Sequence, residues 1–136
     1  MIWSKEETLK RSEIEEIQLN RLKETVRRVY DNVAPYRKKM DDAGVKPEHI
    51  NTLKDLSLLP FVTKTDMRDN YPFGLFAVPK EQLLRIHASS GTTGKPTVVG
   101  YTRNDMKNWT ECVSRIACMG GASEKDVAQI CFGYGM

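Results

Sequence analysis

HASSGTTGKPT, residues 87–97, is the stretch that decides how this chain is read. Ser89, Ser90, Gly91, Thr92, Thr93, Gly94 and Lys95 stand in a row between two apolar runs. Such a segment has almost nothing to bury. It offers hydroxyls, one cation, and backbone N–H groups that two glycines free to point into a single concavity. All three suit an anion, phosphate above all, because bonds from a charged donor to phosphate are roughly twice as strong as neutral ones. Pro96 stiffens the exit and pushes Lys95 toward an extended backbone.

The flanks place this segment in a fold. Leu83–Ala88 is apolar-rich and reads as a strand, and Thr97–Tyr101 reads as another, so the Ser/Thr/Gly stretch joins two strands. Thr102 with Asp105 forms a capping pattern, and the spacing predicts a helix to about Met119 with Met106, Trp109, Val113, Ile116 and Ala117 on one side, Met106 and Trp109 in the core. Gly120 and Gly121 stop it. Val127–Phe132 reads as a third strand, before the closing GYGM.

Upstream the pattern is helical. Ser12 and Glu15 read as a capping box ahead of Leu19, Leu22, Val26, Val29 and Val33, which predicts a helix over about residues 13–34. Pro35 opens a shorter helix that Gly44 ends. A one- or two-turn helix is expected near Thr52–Ser57, and Thr63 or Thr65 caps another that runs to about Asn70. Tyr71–Gly74, YPFG, reads as a bend; Tyr71, Phe73 and Phe76 are expected to pack the helical segment onto the sheet. The expected class is therefore α/β: a helical segment, residues 1–80, then the incomplete start of an α/β nucleotide-binding subdomain, residues 81–136. A sheet that has just begun when the chain stops reads as a piece of a longer protein.

Bulk composition sets outer limits. At 136 residues, 40% hydrophobic and 29% charged, the chain has the make-up of one globular domain. Residues 1–40 hold ten Lys and Arg against seven Asp and Glu, and the remainder is balanced. That basic excess reads as a solvated helix face and argues for no nucleic-acid partner. No apolar run approaches the ~18 residues a membrane helix needs. Cys112, Cys118 and Cys131 fit no metal spacing, and no secretory signal opens the chain, so a reducing cytoplasm is the expected setting. Cys112 and Cys118 fall in the helical pattern and are expected to be buried. His87 reads as a structural histidine beside the loop, and His49 as a surface one.

Several loop motifs compete for residues 89–96. The Walker A pattern needs a glycine at the position of Ser89 and a hydroxyl at that of Pro96, and so fails twice. The dinucleotide fingerprint finds only its tail, Gly91-Thr92-Thr93-Gly94. The Gly-x-x-Gly loop of KH domains matches in letters and offers the alternative reading, a small basic nucleic-acid-binding module, but that loop joins two helices. SSGTTGKP at 89–96 instead resembles the Ser-x-Gly-Thr-Thr-Gly-x-Pro phosphate loop of the adenylate-forming enzymes. LLRIHASSGTTGKPTVVGYTRNDMKNW, LPFVTKTDMRDNYPFGLFAVP at 59–79 and the closing CFGYGM are similar to the phenylacetate-CoA ligases among them, and the likeness runs from Trp3 to Met136.

That resemblance implies an ATP-dependent acid–thiol ligase with ATP, Mg²⁺ and CoA as substrates, no tightly bound cofactor and a homodimeric parent. It implies that Ser89, Ser90, Gly91, Thr92, Thr93, Gly94 and Lys95 hold the β- and γ-phosphates, and that Phe132 and Tyr134 border the pocket for the acid. The catalytic residues are expected beyond Met136, so the 136 residues alone are expected to be inactive. Most of the superfamily has Lys after the motif proline. Thr97 stands there instead, and Lys95 is expected to supply the charge.

Overall fold

A computed structural model describes residues 2–89 and 94–131. Ser90, Gly91, Thr92 and Thr93, and Phe132 through Met136 with Tyr134 among them, lie outside the described residues.

Helix α1 spans Arg11–Asn32 and α2 spans Ala34–Asp42. The start of α1 differs from the Ser12–Glu15 expectation. Glu13 reaches back to accept from the Lys10 N–H at 2.8 Å, while Glu15 is held by Arg11 at 2.8 Å. A carboxylate one turn into a helix satisfies an amide that has no intrahelical partner, and here Glu13 is the one in reach. Pro35 sits in the first turn of α2, where its missing N–H costs nothing. Gly44, at φ +67°, ends that helix in the left-handed conformation glycine permits.

These two helices carry the core. Val26, Met40, Val45 and Ile50 are buried together, with Leu22, Tyr30, Tyr36 and Leu59 packed on them. Truncating a fully buried methionine such as Met40 costs about 2–5 kcal/mol. Polar links hold the periphery: Tyr36 Oη donates to the Pro60 carbonyl at 3.0 Å, and Lys46 reaches both Asp41 and Tyr30 Oη.

A 3₁₀ segment, Leu53–Leu58, leads to α3, Lys64–Asp69. Thr63 caps α3: its Oγ1 accepts from the Asp66 N–H at 3.3 Å, and Asp66 accepts from the Thr63 N–H at 2.7 Å. Asp66 also takes Lys39 of α2 at 2.8 Å. The lysine, then the capping N–H, hold the Asp66 carboxyl down at about 2.

Strands β1, Leu83–Ala88, and β2, Val98–Thr102, pair antiparallel, with His87 opposite Val99 and Ile86 opposite Gly100. Helix α4, Arg103–Met119, follows β2 without a connecting residue. Thr102 Oγ1 accepts from the Asp105 N–H at 3.2 Å, so the strand's last residue is also the helix cap. The amino-terminal segment lies across α4: Trp3 Nε1 donates to Glu111 at 2.8 Å, and Arg115 donates to Ser4 Oγ at 3.0 Å.

Three expectations are corrected here. Residues 127–131 form no strand, because a strand needs a neighbour and among the described residues β1 and β2 pair only with each other. Trp109, expected in the core, is 42% exposed, and Val113 and Ile116 on the same side of α4 are 52% and 69% exposed. Helical period reveals a stripe but not its partner. Cys112 is exposed for the same reason, while Cys118 is buried.

Candidate functional site

The candidate site is the connection between β1 and β2. Its neck is closed twice. The Ser89 N–H donates to the Thr97 carbonyl at 3.0 Å, and the Thr97 N–H donates to Ser89 Oγ at 2.9 Å. Ser89 Oγ thus accepts from the neck and keeps its own proton to donate elsewhere. Thr97 carries the other half of the neck on its backbone, a role no side-chain motif announces. Ser89 and Thr97 thereby join the end of β1 to the start of β2, two antiparallel strands. Gly-x-x-Gly of the KH type joins helices, and that arrangement is not the one found here.

Gly94 and Lys95 are the described residues that follow the neck residue Ser89 in the candidate sequence. Gly94 has φ +126°, with no atom of the described residues within 4 Å of where a β-carbon would stand, so its backbone conformation calls for glycine. Lys95 is exposed, and its ammonium lies 5.9 Å from the centre of the Tyr71 ring. Of the seven phosphate-loop candidates, the structure describes Ser89, Gly94 and Lys95 at one end of the hairpin; Ser90, Gly91, Thr92 and Thr93 are outside the described residues. The same holds for Phe132 and Tyr134.

The hairpin is gripped on both sides. His87 stacks edge-on to Tyr101 at 4.9 Å and lies 5.9 Å from Trp109, whose ring is 5.3 Å from Tyr101. This aromatic trio ties β1 and β2 to α4 just below the loop. His87 is thus a packing residue, as its position in the sequence suggests. Elsewhere on the hairpin, a β-carbon on Gly100 would come within 2.9 Å of Phe76 Cε2 and of Leu83 Cδ2. Phe76 therefore sits hard against the strand, as expected, with Phe73 5.3 Å away. A cleft of about 880 Å³ runs beside this contact, between Arg28, Pro72, Phe76, Gly100 and Arg103.

No family model matches the chain. It is 53% identical to the phenylacetate-coenzyme A ligase of Escherichia coli over 130 residues, which is 96% of this chain and 30% of that protein. The corresponding ligase of Thermus thermophilus is 52% identical over 130 residues, 96% of this chain and 29% of its own length. Over nearly its whole length the chain is similar to phenylacetate-CoA ligases. It spans about 30% of the length of these curated relatives.

Solved structures of acyl-CoA ligases agree with it in three dimensions. The crystal structure of 2-hydroxyisobutyryl-CoA ligase with 2-HIB-AMP and CoA superposes at a TM-score of 0.72 and 31% identity, covering 80% of this chain and 24% of that one. A postadenylation form of the same ligase gives a TM-score of 0.74 at 28% identity, covering 85% and 25%. The helical segment followed by a two-stranded sheet is thus a piece of the fold these CoA ligases share. The likeness to phenylacetate-CoA ligases that the loop carries is the one the whole chain carries.

Among the described residues, no group of three or more His, Cys, Asp or Glu is placed to hold a metal ion, and no helix is long and apolar enough to cross a membrane.

Proposed function

We propose that these residues are part of an ATP-dependent aryl acid–CoA ligase, with phenylacetate or a similar acid as substrate. The acid's carboxylate attacks the α-phosphorus of MgATP, and pyrophosphate leaves. The CoA thiol then attacks the acyl-adenylate carbonyl, and AMP leaves. In this reading residues 89–95 hold the β- and γ-phosphates, and Mg²⁺ enters with ATP as substrate. Phe132 and Tyr134 border the aryl group, as the resemblance implies. The enzyme works in the cytoplasm as a homodimer.

The observation that carries the reading is the doubly hydrogen-bonded neck from Ser89 to Thr97. It ties together the two strand ends that flank a hydroxyl- and glycine-rich sequence, with Lys95 exposed beside it. Donors fixed around a growing charge lower the barrier to its formation. Pyrophosphate gains charge as it leaves, so the loop's work is electrostatic.

Lys95→Ala in the full-length protein tests this. A charge-assisted bond contributes roughly 1.5–3 kcal/mol, so acid-dependent exchange of pyrophosphate into ATP is expected to slow by about 10- to 150-fold. Exchange at the parent rate refutes the reading. The 136-residue chain by itself is expected to form no acyl-CoA.

A further inference from the structure

The lysine at the loop exit has a partner that nothing in the loop motif points to. Lys95 Nζ lies over the ring of Tyr71 at 5.9 Å from its centroid, 24 positions back along the chain. We propose that Tyr71 is a positioning residue for the phosphate-binding lysine: its π face holds the Lys95 ammonium at the mouth of the loop until a polyphosphate takes it. This rests on the ligase reading above and adds a residue to it.

The backbone around each partner makes the contact more than an incidental approach of two exposed side chains. Pro96 limits Lys95 to extended backbone on one side, and Gly94 sets a φ of +126° on the other. Pro96 thus restricts the backbone that carries the four-carbon Lys95 side chain. Tyr71 is fixed from the opposite direction. Its N–H donates to the Arg68 carbonyl at 3.2 Å, and the Gly74 N–H closes the bend on the Asn70 carbonyl at 2.9 Å. Asn70 Nδ2 donates to the Asp66 carbonyl at 2.8 Å, and Asp66 is tied to Lys39 of the helical core. These bonds tie the backbone that bears Tyr71 to α3 and, through Asp66 and Lys39, to α2.

The strength of the contact suits holding rather than trapping. An exposed cation–π pair is weak next to a charge-assisted bond to phosphate. Tyr71 would narrow the positions the ammonium samples without competing with the ligand for it. Narrowing lowers the entropy lost when ATP binds, and so appears as affinity for ATP. The acid is recognised elsewhere and should not feel it.

The test is a double-mutant cycle in the full-length protein, read by acid-dependent pyrophosphate–ATP exchange. Tyr71→Leu is expected to raise KM for ATP about two- to fivefold, with KM for the acid and the melting temperature held near the parent's. Tyr71→Phe, which keeps the π face, is expected to restore KM for ATP. In a Lys95→Ala background, Tyr71→Leu is expected to add nothing. Positioning is overturned if Leu and Phe behave alike, if KM for ATP does not move, or if the Tyr71→Leu effect survives without the lysine. If Lys95→Ala alone leaves exchange unchanged, the ligase reading of the loop is what fails, and the proposal falls with it.

Discussion

Asp66 shows how much one side chain can do at the residue scale. Its carboxylate accepts from the Thr63 N–H at 2.7 Å and from Thr63 Oγ1 at 2.8 Å, and it pairs with Lys39 at 2.8 Å. It caps α3 and fastens that helix to α2 at once. Lys39 first, then the Thr63 N–H, draw its pKa from 3.8 to about 2. A carboxyl whose folded pKa lies below its unfolded value stabilises the fold above the unfolded value, and that contribution fades as pH falls toward the folded one. Asp66→Asn is therefore expected to lower the melting temperature at pH 6. The gap to the parent should shrink between about pH 4 and pH 2, where the parent loses the same stabilisation. A gap that stays constant down to pH 2 would show the carboxylate's charge to be idle. Half of this was legible beforehand: Thr63 three residues before Asp66 spells a cap. The Lys39 partner, 27 residues away, leaves no mark in local spacing, and neither does Tyr71 for Lys95.

At the scale of elements, β2 holds two opposed demands. It must pair with β1, and it must admit the Phe76 ring. Gly100 reconciles them, since any β-carbon there meets ring and leucine atoms at 2.9 Å. Gly100→Ala is expected to destabilise the chain by about 1–3 kcal/mol through overpacking, measured by urea unfolding. Phe76→Leu in the same chain should recover part of that loss, because a smaller side chain vacates the space. Gly94→Ala should cost about 1 kcal/mol or more with no recovery from Phe76→Leu, since its demand is a positive φ and not room. Equal rescue of both variants would contradict this division. Strands β1 and β2 and the Thr102 cap were readable from apolar runs and a four-residue pattern. The failure at 127–131 has a plain cause: apolar content signals a tendency to extend, whereas pairing depends on an edge that this stretch does not meet among the described residues.

Across the whole molecule, burial is uneven, and stability should follow it. Val26, Val33, Met40, Val45 and Ile50 are buried between residues 26 and 50, whereas Cys118 is the buried apolar residue of α4. Leu84 and Ile86 of β1 remain 51% and 49% exposed, and Val99 of β2 is 39% exposed. Amides open at a free energy set by how much buried apolar surface the opening exposes to water. The helical segment of residues 1–80 should therefore outlast the hairpin and α4 when the 136-residue chain is warmed. Hydrogen exchange followed by mass spectrometry is expected to show α1 and α2 exchanging slowest and β1, β2 and the carboxy-terminal half of α4 fastest. Met40→Ala should speed exchange throughout α1 and α2, because it empties the core they share. Leu84→Ala, at a half-exposed position, should leave those helices unchanged. Uniform exchange across helices and hairpin, with Leu84→Ala as disruptive as Met40→Ala, would mean that the two regions unfold as one. The phosphate-loop candidate would then share the core's full stability. On the expected result its described residues, Ser89, Gly94 and Lys95, stand instead on the least stable part of the chain.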